Sequence, residues 1–177
     1  MVNGDNSAHL LKQLHKECWY AVYTRSRHEK SVADHCGQRG VTAFLPLYNV
    51  QRRWKQRRAE VSLPLFPSYL FVHIALRDRL RILGMPGILS LVSFNNTPVM
   101  VPEAQIECLK QATTLGRAEP YVYLHSGRRV RVTSGPLAGL EGIVIQIKNR
   151  VQVIVSFEWM ARSVAISLDA TDVESIR

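Results

Sequence analysis

Residues 127–144 constrain this chain more than any other stretch. Val130 and Val132 alternate with arginines, as in a strand with one apolar face. The run reaches Gly135-Pro136, an apolar Leu137, and then two glycines three apart, Gly139 and Gly142, before a second strand-like run to Ile147. Pro136 pre-sets the first turn residue, and Gly135 and Gly139 suit positive φ or a close backbone approach. Gly142 lets the next strand bend sharply, as closure of a small barrel demands. A glycine-punctuated hairpin of this kind belongs to a small all-β barrel.

The remaining residues after that hairpin extend the barrel. Strands are expected around Arg129–Val132, Gly142–Ile147, Val151–Phe157, Arg162–Ser167 and Val173–Ile176. Val151-Gln152-Val153-Ile154-Val155 is β-branched at every position but one and makes a poor helix.

Ahead of the barrel the pattern alternates between strand and helix. Trp19–Thr24 reads as a strand, His28–Arg39 as a helix stopped by Gly37 and Gly40, and Phe44–Val50 as a second strand. Gln51–Glu60 reads as a charged hairpin loop and Leu65–Ile74 as a third strand. Arg77–Leu83 forms a helix ended by Gly84-Met85-Pro86-Gly87, short strands flank an Asn95-Asn96 turn, and Pro102 opens a last helix. This order predicts an α+β fold: an antiparallel sheet with flanking helices over 18–114, a linker over 115–124, and a small all-β barrel over 125–177. Residues 1–17 read as a loose leader.

Composition bounds the function. The chain has 177 residues, a formal net charge of +9 and 46% hydrophobic residues, which fits a folded protein with polyanion affinity. From Cys18 to Thr114 there are 13 Lys/Arg against 6 Asp/Glu, and from His125 to Arg177 there are 7 against 5. Polyanion contact is therefore expected in the N-terminal half. No apolar run is long enough to cross a bilayer, and the start lacks a signal-peptide pattern, so a cytosolic protein is expected. Cys18, Cys36 and Cys108 are odd in number and widely spaced, which reads as reduced thiols, with no metal and no cofactor. There is no nucleophile elbow, no phosphate loop and no spaced carboxylate pair, so no enzyme is expected.

Two segments carry binding chemistry. In Pro64-Leu65-Phe66-Pro67-Ser68-Tyr69-Leu70-Phe71-Val72 both faces of a period-two strand are apolar. That strand either lies in a core on both faces or presents a shallow aromatic patch to a partner. Gln51–Arg58 holds Arg52, Arg53, Lys55, Arg57 and Arg58 around Trp54. It is either a solvated hairpin tip or a surface that follows single-stranded nucleic acid by phosphate pairing and base stacking. Arg25, Arg27, His28 and His35 can extend that surface.

Trp19-Tyr20-Ala21-Val22-Tyr23, then Pro64–Val72, then the glycine hairpin, which resembles a KOW motif, occur in this order in the NusG family of transcription factors. The resemblance covers about Trp19 to Ile176. It implies an NGN domain followed by a KOW SH3-like barrel, in a monomer that binds RNA polymerase, chiefly the clamp helices of β′, with the β subunit a further candidate. Tyr23, Phe66, Tyr69 and Phe71 match positions lining or supporting the clamp-binding depression, and Phe94 completes it. Arg25 and His35 match the face near non-template DNA. Met160 matches a barrel-loop residue that docks a ribosomal small-subunit protein or Rho, where many relatives carry an aromatic. The Arg-rich loop before Pro-Leu-Phe-Pro-Ser-Tyr looks like the operon-specific relatives of the RfaH, UpxY and LoaP type, and so implies antitermination. The competing reading is a KOW-containing ribosomal or other RNA-binding structural protein.

Overall fold

The computed structural model describes residues 14–54, 57–121, 128–147, 150–157 and 160–176. Contacts divide the chain into two compact units: residues 1–45 with 67–103, and residues 46–66 with 104–177.

The first unit is built on β1 (Glu17–Thr24). This strand is antiparallel to β5 (Tyr69–Ala75), to β6 (Ile88–Leu91) and, at its other end, to β9 (Met100–Val101). β2 (Thr42–Phe44) completes the sheet on the far side of β5. α1 (Glu29–Gln38) buries Val32 and Cys36, one turn apart, with Glu29. The Val32 and Cys36 side chains join Val22, Leu70, Val72, Ile82 and Met85 in one core. A 3-10 turn (Leu76–Asp78) leads into α2 (Arg79–Leu83), which Gly84-Met85-Pro86-Gly87 ends as the sequence predicts. β7 (Ser93–Phe94) and β8 (Thr97–Pro98) flank Asn95 and Asn96, whose φ values of 48° and 62° form the expected asparagine turn.

Two boundaries differ from the sequence reading. The charged segment is not a loop up to Glu60: β3 (Leu47–Trp54) pairs along its whole length with β4 (Arg57–Pro64). Nor does the third strand begin at Leu65. Residues 65–68 turn, Ser68 takes φ 67°, and β5 starts at Tyr69. Both prolines therefore precede the strand, and β5 is an internal strand between β2 and β1. Leu70, Phe71 and Val72 are all fully buried, so over these three residues the strand is core on both faces.

In the second unit α3 (Glu103–Thr114) buries Ile106, Leu109 and Ala112. The barrel is a six-stranded antiparallel sheet in the order β10-β14-β13-β12-β11-β15. Its strands are β10 (Ala118–Tyr121), β11 (Arg128–Val132), β12 (Glu141–Ile147), β13 (Arg150–Phe157), β14 (Arg162–Leu168) and β15 (Val173–Ser175). β10 lies inside the span expected as linker. Its ladder with β14 recruits it despite Pro120, which an edge strand tolerates.

Gly135 and Gly139 adopt φ 76° and 87°, as the hairpin reading requires. Gly142 serves a different purpose from bending alone. A Cβ there would lie 2.4 Å from the Ile154 carbonyl oxygen and 2.7 Å from Val153 Cγ1. β12 can thus approach β13 only without a side chain at this position. Across the β11–β12 ladder, Arg131 Nε donates to Glu141 Oε1 at 2.9 Å, and this pairing holds the Glu141 carboxyl below its usual range.

Gly142→Val is expected to lower stability by about 1–3 kcal/mol through overpacking against β13. Denaturant unfolding of the variant checks this, and an unchanged midpoint would refute the close-packing role.

Candidate functional site

The end of β1 and the start of β5 meet at one pair of aromatics. Tyr23 and Tyr69 are register partners, and their rings lie 5.2 Å apart at 48°. That spacing falls within the range of favourable aromatic pairs, worth about 0.5–1.5 kcal/mol beyond area burial. Tyr23 is 40% exposed and Tyr69 is half-buried. Phe71, two residues along β5, is fully buried and stacks on Phe44 of β2 at 6.1 Å. Tyr69 and Phe71 share one face of β5, so the exposed tyrosine pair continues along the sheet into the buried Phe71 and the half-buried Phe44.

The turn that delivers Tyr69 is held from two sides. The Thr24 N–H donates to the Ser68 carbonyl at 2.9 Å. The Ser68 N–H donates to Glu29 Oε1 at 2.7 Å. Glu29 is only 5% exposed and sits in the first turn of α1, where the helix N-terminus favours a carboxylate. A further bond, from the Arg25 N–H to the Gly87 carbonyl at 2.8 Å, fixes the chain just past Tyr23. The sequence reading missed Glu29. A glutamate in the first helical turn is common, and nothing in the sequence marks this one as the acceptor for a turn thirty-nine residues away.

The other expected site residues divide. Phe94 is 71% exposed on β7, and Met100, Leu89 and Leu80 are also exposed apolar residues of this unit. Phe66 is 1% exposed and packs edge-on against Phe157 at 5.3 Å within the second unit. Phe66 therefore does not line an exposed depression: it belongs to a core. Met160 is likewise buried, at 6%, just before Ala161 at φ 47°. It packs inward and does not extend from a loop as a contact residue. Phe71 is fully buried and does not line the tyrosine surface.

Arg25 is exposed, while His35 is half-buried and its Nδ1 has no partner among the described residues. For the basic hairpin the backbone register is defined: Arg52 lies opposite Ala59, Arg53 opposite Arg58 and Trp54 opposite Arg57. Lys55 lies outside the described residues. Among those described, no cluster of His, Cys, Asp and Glu is placed to hold a metal, and no helix is long and apolar enough to span a membrane.

The family model for transcription termination factor nusG matches residues 17–110, more than half of the chain. The chain belongs to the NusG family. A KOW motif model matches residues 126–157, which contain the β11–β12 hairpin and β13. NusG of Thermus thermophilus, a transcription termination/antitermination protein, is 29% identical over 88% of this chain and 96% of its own length. That of Neisseria meningitidis is 25% identical over 89% and 97%. A solved structure of Thermotoga maritima NusG superposes with a TM-score of 0.60, covering 93% of this chain and 99% of that one at 22% identity. That likeness supports the fold. The chain is thus a NusG-family transcription factor with an NGN and a KOW region.

Removing the Glu29 acceptor leaves the part-buried Ser68 N–H without that partner. Glu29→Ala is expected to cost about 1–3 kcal/mol, with Glu29→Gln, which keeps an acceptor, costing less. Equal stability of wild type and Glu29→Ala in urea would contradict this.

Proposed function

We propose that this NusG-family protein is a specialised, operon-specific antitermination factor that binds the RNA polymerase clamp through Tyr23 and Tyr69. The exposed tyrosine pair carries the reading. Two aromatics held rigidly at the surface, each with few side-chain torsions to freeze, are the residue type that anchors protein interfaces. Phe94 provides a further exposed aromatic on the same unit. Phe66 and Met160 are not assigned contacts.

The basic hairpin is the proposed contact to non-template DNA. Its ladder sets Arg53 opposite Arg58. A bound DNA strand brings one phosphate per nucleotide to a hairpin this rich in arginine. On the first unit, exposed Arg25 adds a cation two residues beyond Tyr23. The protein makes and breaks no bond in this scheme: it bridges polymerase and DNA and suppresses pausing.

Tyr69→Ala is expected to weaken binding to core polymerase by roughly 2 kcal/mol, or about thirtyfold, with the fold retained. Unchanged affinity in a folded variant would remove the tyrosine surface from the clamp contact. Replacing Arg52, Arg53, Arg57 and Arg58 with Gln is expected to flatten the salt dependence of single-stranded DNA binding by about 0.7 log units per log salt for each phosphate no longer neutralised. Trp54→Ala is expected to weaken binding at every salt concentration, by about 1–3 kcal/mol. An arginine-free hairpin that keeps the wild-type salt slope would place the DNA contact elsewhere.

A further inference from the structure

β3 and β4 form a ribbon of their own: among the described residues each pairs only with the other. Alternate residue pairs along such a ribbon belong to opposite faces. One series runs through Tyr48 opposite Leu63 and Val50 opposite Val61, and continues in the backbone register to Arg52 opposite Ala59 and Trp54 opposite Arg57. The other runs through Asn49 opposite Ser62 and Gln51 opposite Glu60, and continues to Arg53 opposite Arg58. Tyr48, Val50, Val61 and Leu63 are all half-buried, whereas Asn49, Gln51 and Glu60 are exposed. The apolar series thus marks the covered face of the ribbon and the polar series the open one.

The open face has a composition that phosphate contact does not explain. Phosphate binding calls for lysine and arginine, yet ahead of the two arginines this face carries two amides, a hydroxyl and a carboxylate. The Glu60 carboxylate repels a phosphate. These four side-chain types are the ones that read base edges: Asn and Gln pair with adenine, Glu accepts from the cytosine amino group, and Ser serves either. Ser62 Oγ donates to Asn49 Oδ1 at 2.7 Å, which fixes the Asn49 amide across the ribbon. The second lone pair of that oxygen and the amide N–H groups remain for a base. The dimensions agree. Paired strands lie about 4.8 Å apart, and the B-DNA major groove, about 12 Å wide, admits a two-stranded ribbon. From Asn49 to Arg53 the strand advances about 14 Å, the length of about four base-pair steps. Double-stranded RNA offers no such access, since its major groove is too narrow for side chains.

We propose that the polar face of the β3–β4 ribbon enters the major groove of duplex DNA and reads base edges there, with Gln51 and Glu60 as the specificity-determining pair. The inference rests on the reading of this hairpin as a DNA contact and adds base selection in a duplex to it. Gln51 then favours adenine and Glu60 favours cytosine within one short window. Trp54 belongs to the other register series and is left to the single strand.

The test uses the full chain to select from short DNA duplexes with a randomised centre. Wild type is expected to prefer one short sequence of A·T and C·G pairs by about tenfold over the random pool. Glu60→Gln is expected to move the preference at one position from cytosine to adenine, and Gln51→Ala to lose the adenine preference at another, each variant confirmed as folded by thermal unfolding. In the selected duplex, 7-deazaadenine, which lacks the major-groove N7, is expected to weaken binding by about tenfold. Inosine in place of guanine, which alters only the minor groove, is expected to leave binding unchanged. The proposal is overturned if wild type and both variants select the same sequence, if inosine weakens binding and 7-deazaadenine does not, or if duplex RNA of that sequence binds equally well. Arginine-dependent binding to single-stranded DNA with no duplex preference overturns this inference alone. Loss of both overturns the DNA reading of the hairpin as well.

Discussion

β1 holds the first unit together. It hydrogen-bonds to β5 from Glu17↔Ala75 through Tyr23↔Tyr69, to β6 beyond Val22, and to β9 beside Trp19 and Tyr20. Trp19 to Val22 are buried as a result, and Ala21 and Val22 expose nothing. A strand paired on both edges and covered on both faces can vary little. Its position therefore dictates where its last residues emerge. The ladder to β6 shifts register between Tyr23 and Thr24, and at that irregularity Tyr23 leaves the core for the surface.

The tyrosine surface follows from this framework with one addition. β5 places Tyr69 opposite Tyr23, but only because the preceding turn is pinned by a buried carboxylate from α1 and by the backbone of Thr24. Tyrosine suits such a place: its ring packs while its hydroxyl stays in water, whereas Phe71, two residues along β5, is fully buried. In the second unit the same logic puts Phe66 and Phe157 edge to edge in a core.

Most of this architecture could be read from the sequence. The positions of β1 and α1, the Gly-Met-Pro-Gly stop, the asparagine turn and the barrel hairpin follow from local chemistry, and the structure agrees with each. The misreadings share one cause: tertiary pairing overrode local composition. A run of arginines reads as loop, yet β3 and β4 extend through it because their ladder is continuous. Ala118–Tyr121 has no strand pattern of its own and becomes β10 because the β14 edge is available. Apolar residues such as Phe66 and Met160 look alike in sequence whether they face a partner or a core, and only packing separates them. Glu29 was invisible for the complementary reason, since a buried polar side chain is defined by partners distant in the chain.

The central claim is that the paired tyrosines are the contact surface for the polymerase clamp. A photo-reactive benzoylphenylalanine at position 69 keeps an aromatic ring on the β5 scaffold and reports its neighbour directly. In a reconstituted elongation complex the account predicts an ultraviolet-dependent cross-link from position 69 to the β′ subunit. Cross-linking to another subunit alone, or none in a complex that still holds the protein, would contradict it.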